Sequence, residues 1–388
     1  MKRLKSIPDN SNGLVLKPRE LVVTVAVVLV LTLAVLPICW RKYRQAEIPR
    51  SFRLAEELRD DYYGYRLVAE AACRKYPAVF IGDSVVWGKY VDNDHTLPEL
   101  VNRALGKEEL VNLAVDGLHP VAMERLLRDH GDGIRGKRVY LYWNPLWMNT
   151  PLYDLSGEGE FSINHPRLLP QFDRSYRSYR ANFGDRVSAF LEQRVLFAAW
   201  MRHFRAAYCA NRDVKKVIAS GDKLAHYDPA ERRPLANSTV TWEQNGIKKQ
   251  DWPWVDAAKS RQYAAFRRVL ALLRKRGNQV TVVLGTVNPH MQTPGSLERY
   301  HKLRAGVKAD LEKAGVAVID LPELASKEYA DASHPLAAGY RKLAEVMVGQ
   351  LADGGRTPLR APRPGCGKMK NVKRNAASGG YDKGKATS

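Results

Sequence analysis

The first feature of the hydrophobic pattern is a run from Leu21 to Ile38 without a single charge, bounded by Arg19 and Glu20 before it and by Arg41 and Lys42 after it. That is about the length needed to cross a bilayer, so the pattern predicts a transmembrane helix over residues 21–40 behind a short tail, residues 1–20. The bulky residues Pro37, Ile38, Cys39 and Trp40 that follow do not fit a signal-peptide cleavage site, and the span reads as an uncleaved signal-anchor. Behind it, residues 41–77 read as a helical lead-in. Leu54, Leu58, Tyr62, Tyr65 and Leu67 recur there at roughly helical spacing and predict a helix over Ser51 to Lys75.

From Ala78 onward, short apolar runs alternate with amphipathic segments. The runs are Ala78 to Ile81, Leu110 to Val115, Arg138 to Trp143, Gln279 to Leu284 and Val316 to Ile319. Between them lie helical patterns over Leu97 to Leu105, Pro120 to His130, Tyr263 to Arg276 and Leu297 to Ala314, and another begins at Leu336. Strand, helix, strand in this rhythm predicts a mostly parallel sheet covered on both faces, one α/β domain over residues 78–352. Residues 150–259 break the rhythm. They are rich in Tyr, Arg, Phe, Pro and Trp, with one helical piece around Val187 to Ala207, and read as an insertion capping the sheet's active edge or as a second small domain with its own core. Residues 353–388 carry Gly, Pro, Lys and Ser without apolar periodicity and are expected to form a disordered basic tail.

Charge changes this picture little. The net charge is +21 over 388 residues, but much of the excess sits at the termini, and no aromatic-basic strand motif or basic recognition helix stands out, so nucleic-acid binding is not expected. Lys2, Arg3, Lys5, Lys17 and Arg19 before the apolar run are matched by Arg41, Lys42, Arg44, Arg50 and Arg53 after it, which leaves orientation undecided by the positive-inside rule. The four cysteines, Cys39, Cys73, Cys209 and Cys366, have no CxxC or metal-ligand spacing and imply neither a disulfide framework nor a metal site.

In an open parallel sheet the ligand site forms beyond the carboxyl ends of the strands, and the polar residues of interest stand there. The first strand runs into Gly82-Asp83-Ser84, presenting a hydroxyl on a tight turn. The second is followed by Asp116-Gly117 and the third by Asn144, so that the N–H groups of Ser84 and Gly117 and the Asn144 amide offer three donors to a developing oxyanion. Past the fifth strand, Asp331-Ala332-Ser333-His334 supplies an imidazole and, three residues away, a carboxylate able to fix its tautomer. Asn288 and His290 lie past the fourth strand on the same edge, either as substrate contacts or as loop residues facing solvent. Taken singly, each feature has a plainer reading. Gly-Asp-Ser is also an ordinary turn with a helix cap, Gly117 a turn glycine, Asn144 a cap, and Asp-x-x-His a helix start with a surface histidine.

Together, and in this order, Ser84, Gly117, Asn144 and Asp331 with His334 resemble the four blocks of the SGNH (GDSL-like) hydrolase family, over Ala78 to Gln350 apart from the insertion. The sequence departs from the pattern at Val85, where the family has leucine, and at Trp143-Asn144-Pro145, where it usually shows Gly-x-Asn-Asp; Pro145 restricts the backbone of Asn144. The resemblance implies a flavodoxin-like three-layer α/β/α sandwich and hydrolysis of acyl or acetyl esters through a triad of Ser84, Asp331 and His334, with no cofactor and no metal. An N-terminal span on such a domain resembles the partners of membrane-bound O-acyltransferases that modify envelope polysaccharides or teichoic acids. This implies a single-pass membrane protein with an extracytoplasmic catalytic domain, and an acylated glycan or small ester as substrate. Two alternatives stay open: an O-acyltransferase working with a membrane-bound acyltransferase partner, and a catalytically inactive glycan- or protein-binding module.

Overall fold

A computed structural model describes residues 17–35, 48–158, 162–173, 176, 181–221, 228–231 and 235–353 of the chain. Its five strands are β1 (Ala78–Ile81), β2 (Leu110–Asn112), β3 (Arg138–Trp143), β4 (Gln279–Leu284) and β5 (Ala317–Asp320). All neighbouring pairs are parallel, in the order β2-β1-β3-β4-β5. This is the doubly wound order of flavodoxin-like sheets. The chain leaves β1 toward β2 on one side and reaches β3 on the other, so the crevice at the carboxyl ends of β1 and β3 is where such a sheet opens to a ligand.

The helices, in chain order, are α1 (Pro18–Val30), α2 (Tyr62–Lys75), α3 (Ser84–Trp87), α4 (Leu97–Leu105), α5 (Pro120–His130), α6 (Phe183–Arg194), α7 (Leu196–Cys209), α8 (Val214–Ser220), α9 (Arg261–Lys275), α10 (Pro294–Lys313) and α11 (Ala337–Asp353). The period-2 alternation of the strands divides the core between the two faces of the sheet. Val79, Ile81, Val139, Leu141, Trp143, Val282 and Leu284 pack with side chains of α2, α5, α9 and α10. Phe80, Tyr140, Tyr142, Val283 and Ile319 pack on the opposite side with Leu97 and Val101 of α4 and Tyr340, Leu343 and Met347 of α11. The result is three layers, helix on sheet on helix.

Three elements differ from the sequence-based expectation. The lead-in helix starts at Tyr62, capped by Asp61, whose carboxylate accepts the Gly64 N–H at 2.9 Å. The preceding residues are instead pulled into the core. Arg53 is 1% exposed, donates to the carbonyls of Gly88 and Val91 at 2.8 and 2.9 Å, and stacks 4.4 Å above the Trp87 ring. β2 ends at Asn112, because the Asn112 amide turns back onto the Ala114 N–H and the Val86 carbonyl. The single helix expected around Val187 to Ala207 is two, α6 and α7, broken at Val195, whose backbone is extended.

The insertion has one small cluster of its own, in which Leu155, Ile163 and Leu169 meet Val121 and Ala265. Several of its buried side chains join the cores of the sheet, among them Ala199, Ala206, Trp252 and Trp254 on one face and Trp242 on the other. No residue of α1 is buried. A π-helical turn, Leu31–Val35, follows it, and among the described residues no helix is long and apolar enough to cross a membrane. The expected span over residues 21–40 runs into residues that lie outside the described ones, as does the expected disordered tail.

Candidate active site

The turn that carries Ser84 is shaped by what surrounds Gly82. A Cβ there would stand 2.6 Å from Val86 Cγ2 and 3.0 Å from Tyr142 Cβ, so only glycine lets β1 pass this close to its neighbours. Asp83 caps the short helix α3, its Oδ1 accepting the Val85 N–H at 3.1 Å. From α11, packed on the same face of the sheet, the Tyr340 hydroxyl donates to the Val85 carbonyl at 2.7 Å. Ser84 is the first residue of α3 and is 7% exposed.

A second loop meets it. Asp331 Oδ1 accepts the N–H groups of Ser333 and His334, both at 3.0 Å. The loop is closed by Ala330 N–H donating to the His334 carbonyl at 2.9 Å and Leu336 N–H donating to the Glu328 carbonyl at 2.7 Å. His334 Nδ1 lies 2.8 Å from both carboxylate oxygens of Asp331, and its Nε2 lies 2.7 Å from Ser84 Oγ. A carboxylate only accepts, so the proton of a neutral imidazole belongs on Nδ1, and Nε2 is left to accept the Ser84 O–H. Burial works to lower the His334 pKa, but the charge and hydrogen bond of Asp331, helped by Asp83 and Asp116, outweigh it and hold the group above the ordinary histidine value. Burial likewise works to raise Asp331, and His334 with two backbone N–H groups overcomes it, bringing the carboxyl down to about 2.

The third block contributes through Asp83. Its Oδ2 accepts from Asn144 Nδ2 at 2.7 Å and from the indole N–H of Trp147 at 2.8 Å, while Asn144 Oδ1 takes the Leu146 N–H at 3.0 Å. Asn144 is extended at φ −99° and ψ 112°, as Pro145 after it requires. One of the two amide protons of Asn144 is therefore committed to Asp83 and the other is left for a ligand. Gly117 adopts φ +74°, the left-handed conformation that favours glycine, and the side chain of Asn164 lies against it, with Nδ2 2.7 Å from where a Cβ would stand. Asn164 comes from the insertion. His119 Nε2 holds its carbonyl at 3.1 Å, and His165 Nε2 holds the Asp116 carbonyl at 2.8 Å.

Ser84, Asp331 and His334 are thus hydrogen-bonded in series, with Gly117 and Asn144 in the loops at the same sheet edge. Asn288 takes a different place from the substrate contact considered for it. It is fully buried, its N–H donating to the Ala332 carbonyl at 2.8 Å and its Nδ2 to the Asp331 carbonyl at 3.3 Å, so it braces the histidine loop from behind. His290 is exposed, with Nε2 3.1 Å from the Leu324 carbonyl. Sequence reasoning missed Tyr90, whose ring sits edge-on to the His334 imidazole at 5.6 Å, and also Asp83, Trp147 and Asn164. Asp83 stood in the quoted Gly-Asp-Ser turn, where it was legible only as a helix cap, and its burial came from the structure. Nothing in the chain's pattern pointed to the other three.

No family model matches the chain, and no curated protein does. Among solved structures, a protein assigned to the G-D-S-L lipolytic family from Desulfitobacterium hafniense matches at 10% identity and a TM-score of 0.33, covering 70% of this chain and 97% of its own. A family two carbohydrate esterase from Clostridium thermocellum, solved with cellohexaose, matches at 10% identity and 0.33, over 72% and 64%. A carbohydrate acetylesterase family member from Sinorhizobium meliloti matches at 11% and 0.31, over 71% and 98%. Likenesses this distant carry no argument about activity or substrate, which rest on this chain's own side chains.

Proposed function

We propose that this chain is a membrane-anchored serine hydrolase of the SGNH type, acting on acyl or acetyl esters with Ser84 as nucleophile. The observation that carries the reading is the unbroken series from Ser84 Oγ through His334 Nε2, at 2.7 Å, to the Asp331 carboxylate, 2.8 Å from Nδ1. These residues come from opposite ends of the domain and meet at the sheet's switch point. A structural cap or surface histidine has no reason to produce that alignment, so a binding module without catalysis has the weaker support.

In the proposed reaction His334 accepts the Ser84 proton as Oγ attacks the ester carbonyl. The oxyanion of the tetrahedral intermediate faces the N–H groups of Ser84 and Gly117 and the uncommitted proton of Asn144. His334, now an imidazolium steadied by Asp331, returns the proton to the leaving alkoxide, which departs as an alcohol and leaves an acyl-Ser84 ester. Water then adds to the acyl carbonyl while giving a proton to His334, and collapse of this second intermediate breaks the Oγ–acyl bond, returns the proton from His334 to Ser84 Oγ and releases the acid.

The location and substrate belong to the same proposal. α1 has no buried residue, and Leu21, Val22, Val23, Leu29 and Val30 are all more than half exposed. Such a helix has a reason to sit in lipid and to continue as a span over residues 21–40. An anchored domain of this kind outside the membrane would meet acylated cell-surface glycans.

The test is labelling of the full chain with a fluorophosphonate probe, compared with Ser84→Ala. Labelling of the wild type alone supports the reading, and equal labelling or none overturns it. Nitrophenyl acetate supplied with and without an oligosaccharide acceptor then separates hydrolysis, which accumulates free acetate, from O-acyl transfer, which accumulates acylated sugar.

A further inference from the structure

Tyr90 stands six residues beyond Ser84 in a conformation that needs an explanation. Its φ is +68°, a region that a bulky side chain occupies only when its surroundings impose it, and such residues gather at functional sites. The insertion imposes it here. Ser238 N–H donates to the Tyr90 carbonyl at 2.8 Å. Beside it, Asn237 clasps Asp92, accepting the Asp92 N–H at 3.1 Å and donating from Nδ2 to Asp92 Oδ2 at 2.8 Å. Four residues after Ser238, the same strand of chain is fastened to the other catalytic loop. Trp242 N–H donates to the Tyr329 carbonyl at 3.1 Å and its indole N–H to Ser326 Oγ at 3.0 Å. Residues 237–242 therefore form a strap tying the loop behind Ser84 to the loop that leads into Asp331 and His334.

The ring so placed touches the triad. It meets the His334 imidazole edge-on, 5.6 Å between ring centres and 77° between planes. It is 39% exposed, so it stands at the mouth of the site rather than in the core. Asp331 fixes the imidazole at Nδ1, and the Tyr90 ring against it limits its swing. We propose that Tyr90 is a positioning residue of the triad, locked against His334 by the strap of residues 237–242 that the insertion lays across both catalytic loops.

The inference rests on the hydrolase reading, and the experiment separates the two. Full-chain wild type, Tyr90→Gly, Tyr90→Phe, Asn237→Ala and the Tyr90→Gly/Asn237→Ala double variant are compared for nitrophenyl acetate kinetics, pH profile, thermal melting and fluorophosphonate labelling. Glycine accepts the left-handed backbone without strain, so Tyr90→Gly melts no lower than wild type. Its kcat nevertheless falls by roughly tenfold or more while KM moves less than about threefold, the signature of misplacement and not of lost binding. Tyr90→Phe keeps the ring and most of kcat. Removing the ring in Tyr90→Gly opens the imidazole to water and eases the burial that works to lower its pKa, so the acid limb of that variant's profile moves upward. Asn237→Ala lowers kcat as Tyr90→Gly does, and the double variant falls no further, because both act through one contact. Wild-type kcat and pH profile in Tyr90→Gly, or additive losses in the double variant, would overturn the inference alone. A wild type that the probe does not label at Ser84 would overturn the hydrolase reading and this inference with it.

Discussion

His334 gains a proton more readily than an ordinary histidine even though it is buried, because the Asp331 carboxylate outweighs the cost of burying the charge. The proposed reaction needs the neutral ring, so kcat/KM should fall as pH drops through a value above 6.5, the ordinary histidine value. Stability follows a different window. Asp331 is depressed, so its contribution is complete above 3.8 and is lost as pH falls toward about 2, while the contribution of His334 is complete below 6.5 and is lost as pH rises through its raised value. At a pH of about 5 both are in force, and the protein should be folded but inactive, with activity regained as pH is brought back up through the raised His334 value; circular dichroism paired with an activity assay checks this. Asp331→Asn should keep the fold and lower kcat on the order of 10³- to 10⁴-fold, since an amide can hold the imidazole in the wrong tautomer. Asn288→Ala removes a buried amide behind the same loop and should cost about 1–3 kcal/mol in denaturant melts, with kcat reduced and KM little changed.

At the scale of elements, the turn between β1 and α3 depends on packing more than on local propensity. α3 is four residues long, too short to hold itself together, and is kept in place by Asp83, Tyr340 and the close approach of Tyr142 to Gly82. Gly82→Ala would push a methyl into Val86 and Tyr142, and should destabilise by about 1–3 kcal/mol as an overpacked core does, measured by thermal melting. Asp83 joins the first and third blocks by accepting from both Asn144 and Trp147, so the departure at Trp143-Asn144-Pro145 leaves the extended backbone of Asn144 and its link to Asp83 in place.

For the whole molecule, the insertion is an integral part of the candidate site. It seats Asn164 against Gly117 and Ser238 on Tyr90, and its tryptophans fill both cores. α1 contributes no buried residue. On the proposed anchoring, deleting residues 1–47 should move the protein from the membrane to the soluble fraction without changing kcat or melting temperature, which fractionation and the same assays check.

The sequence by itself determined the sheet and the four blocks, because both are written locally. Buried strands are continuous apolar runs such as Val79 to Ile81, helices repeat their apolar positions every three or four residues, and a nucleophile or its base must be of a given residue type at a strand end. It located Ser84, Asp331 and His334 without being able to say that 2.7 Å separates atoms 250 residues apart. Only the tertiary structure decided what depends on long-range packing. Arg53 leaves a helical pattern for the carbonyls of Gly88 and Val91, Asn288 turns inward to brace a loop, Asn144 spends one proton on Asp83, and Tyr90 takes a left-handed backbone that its own side chain disfavours. Each is set by a partner distant in sequence, and periodicity and propensity carry no record of such partners.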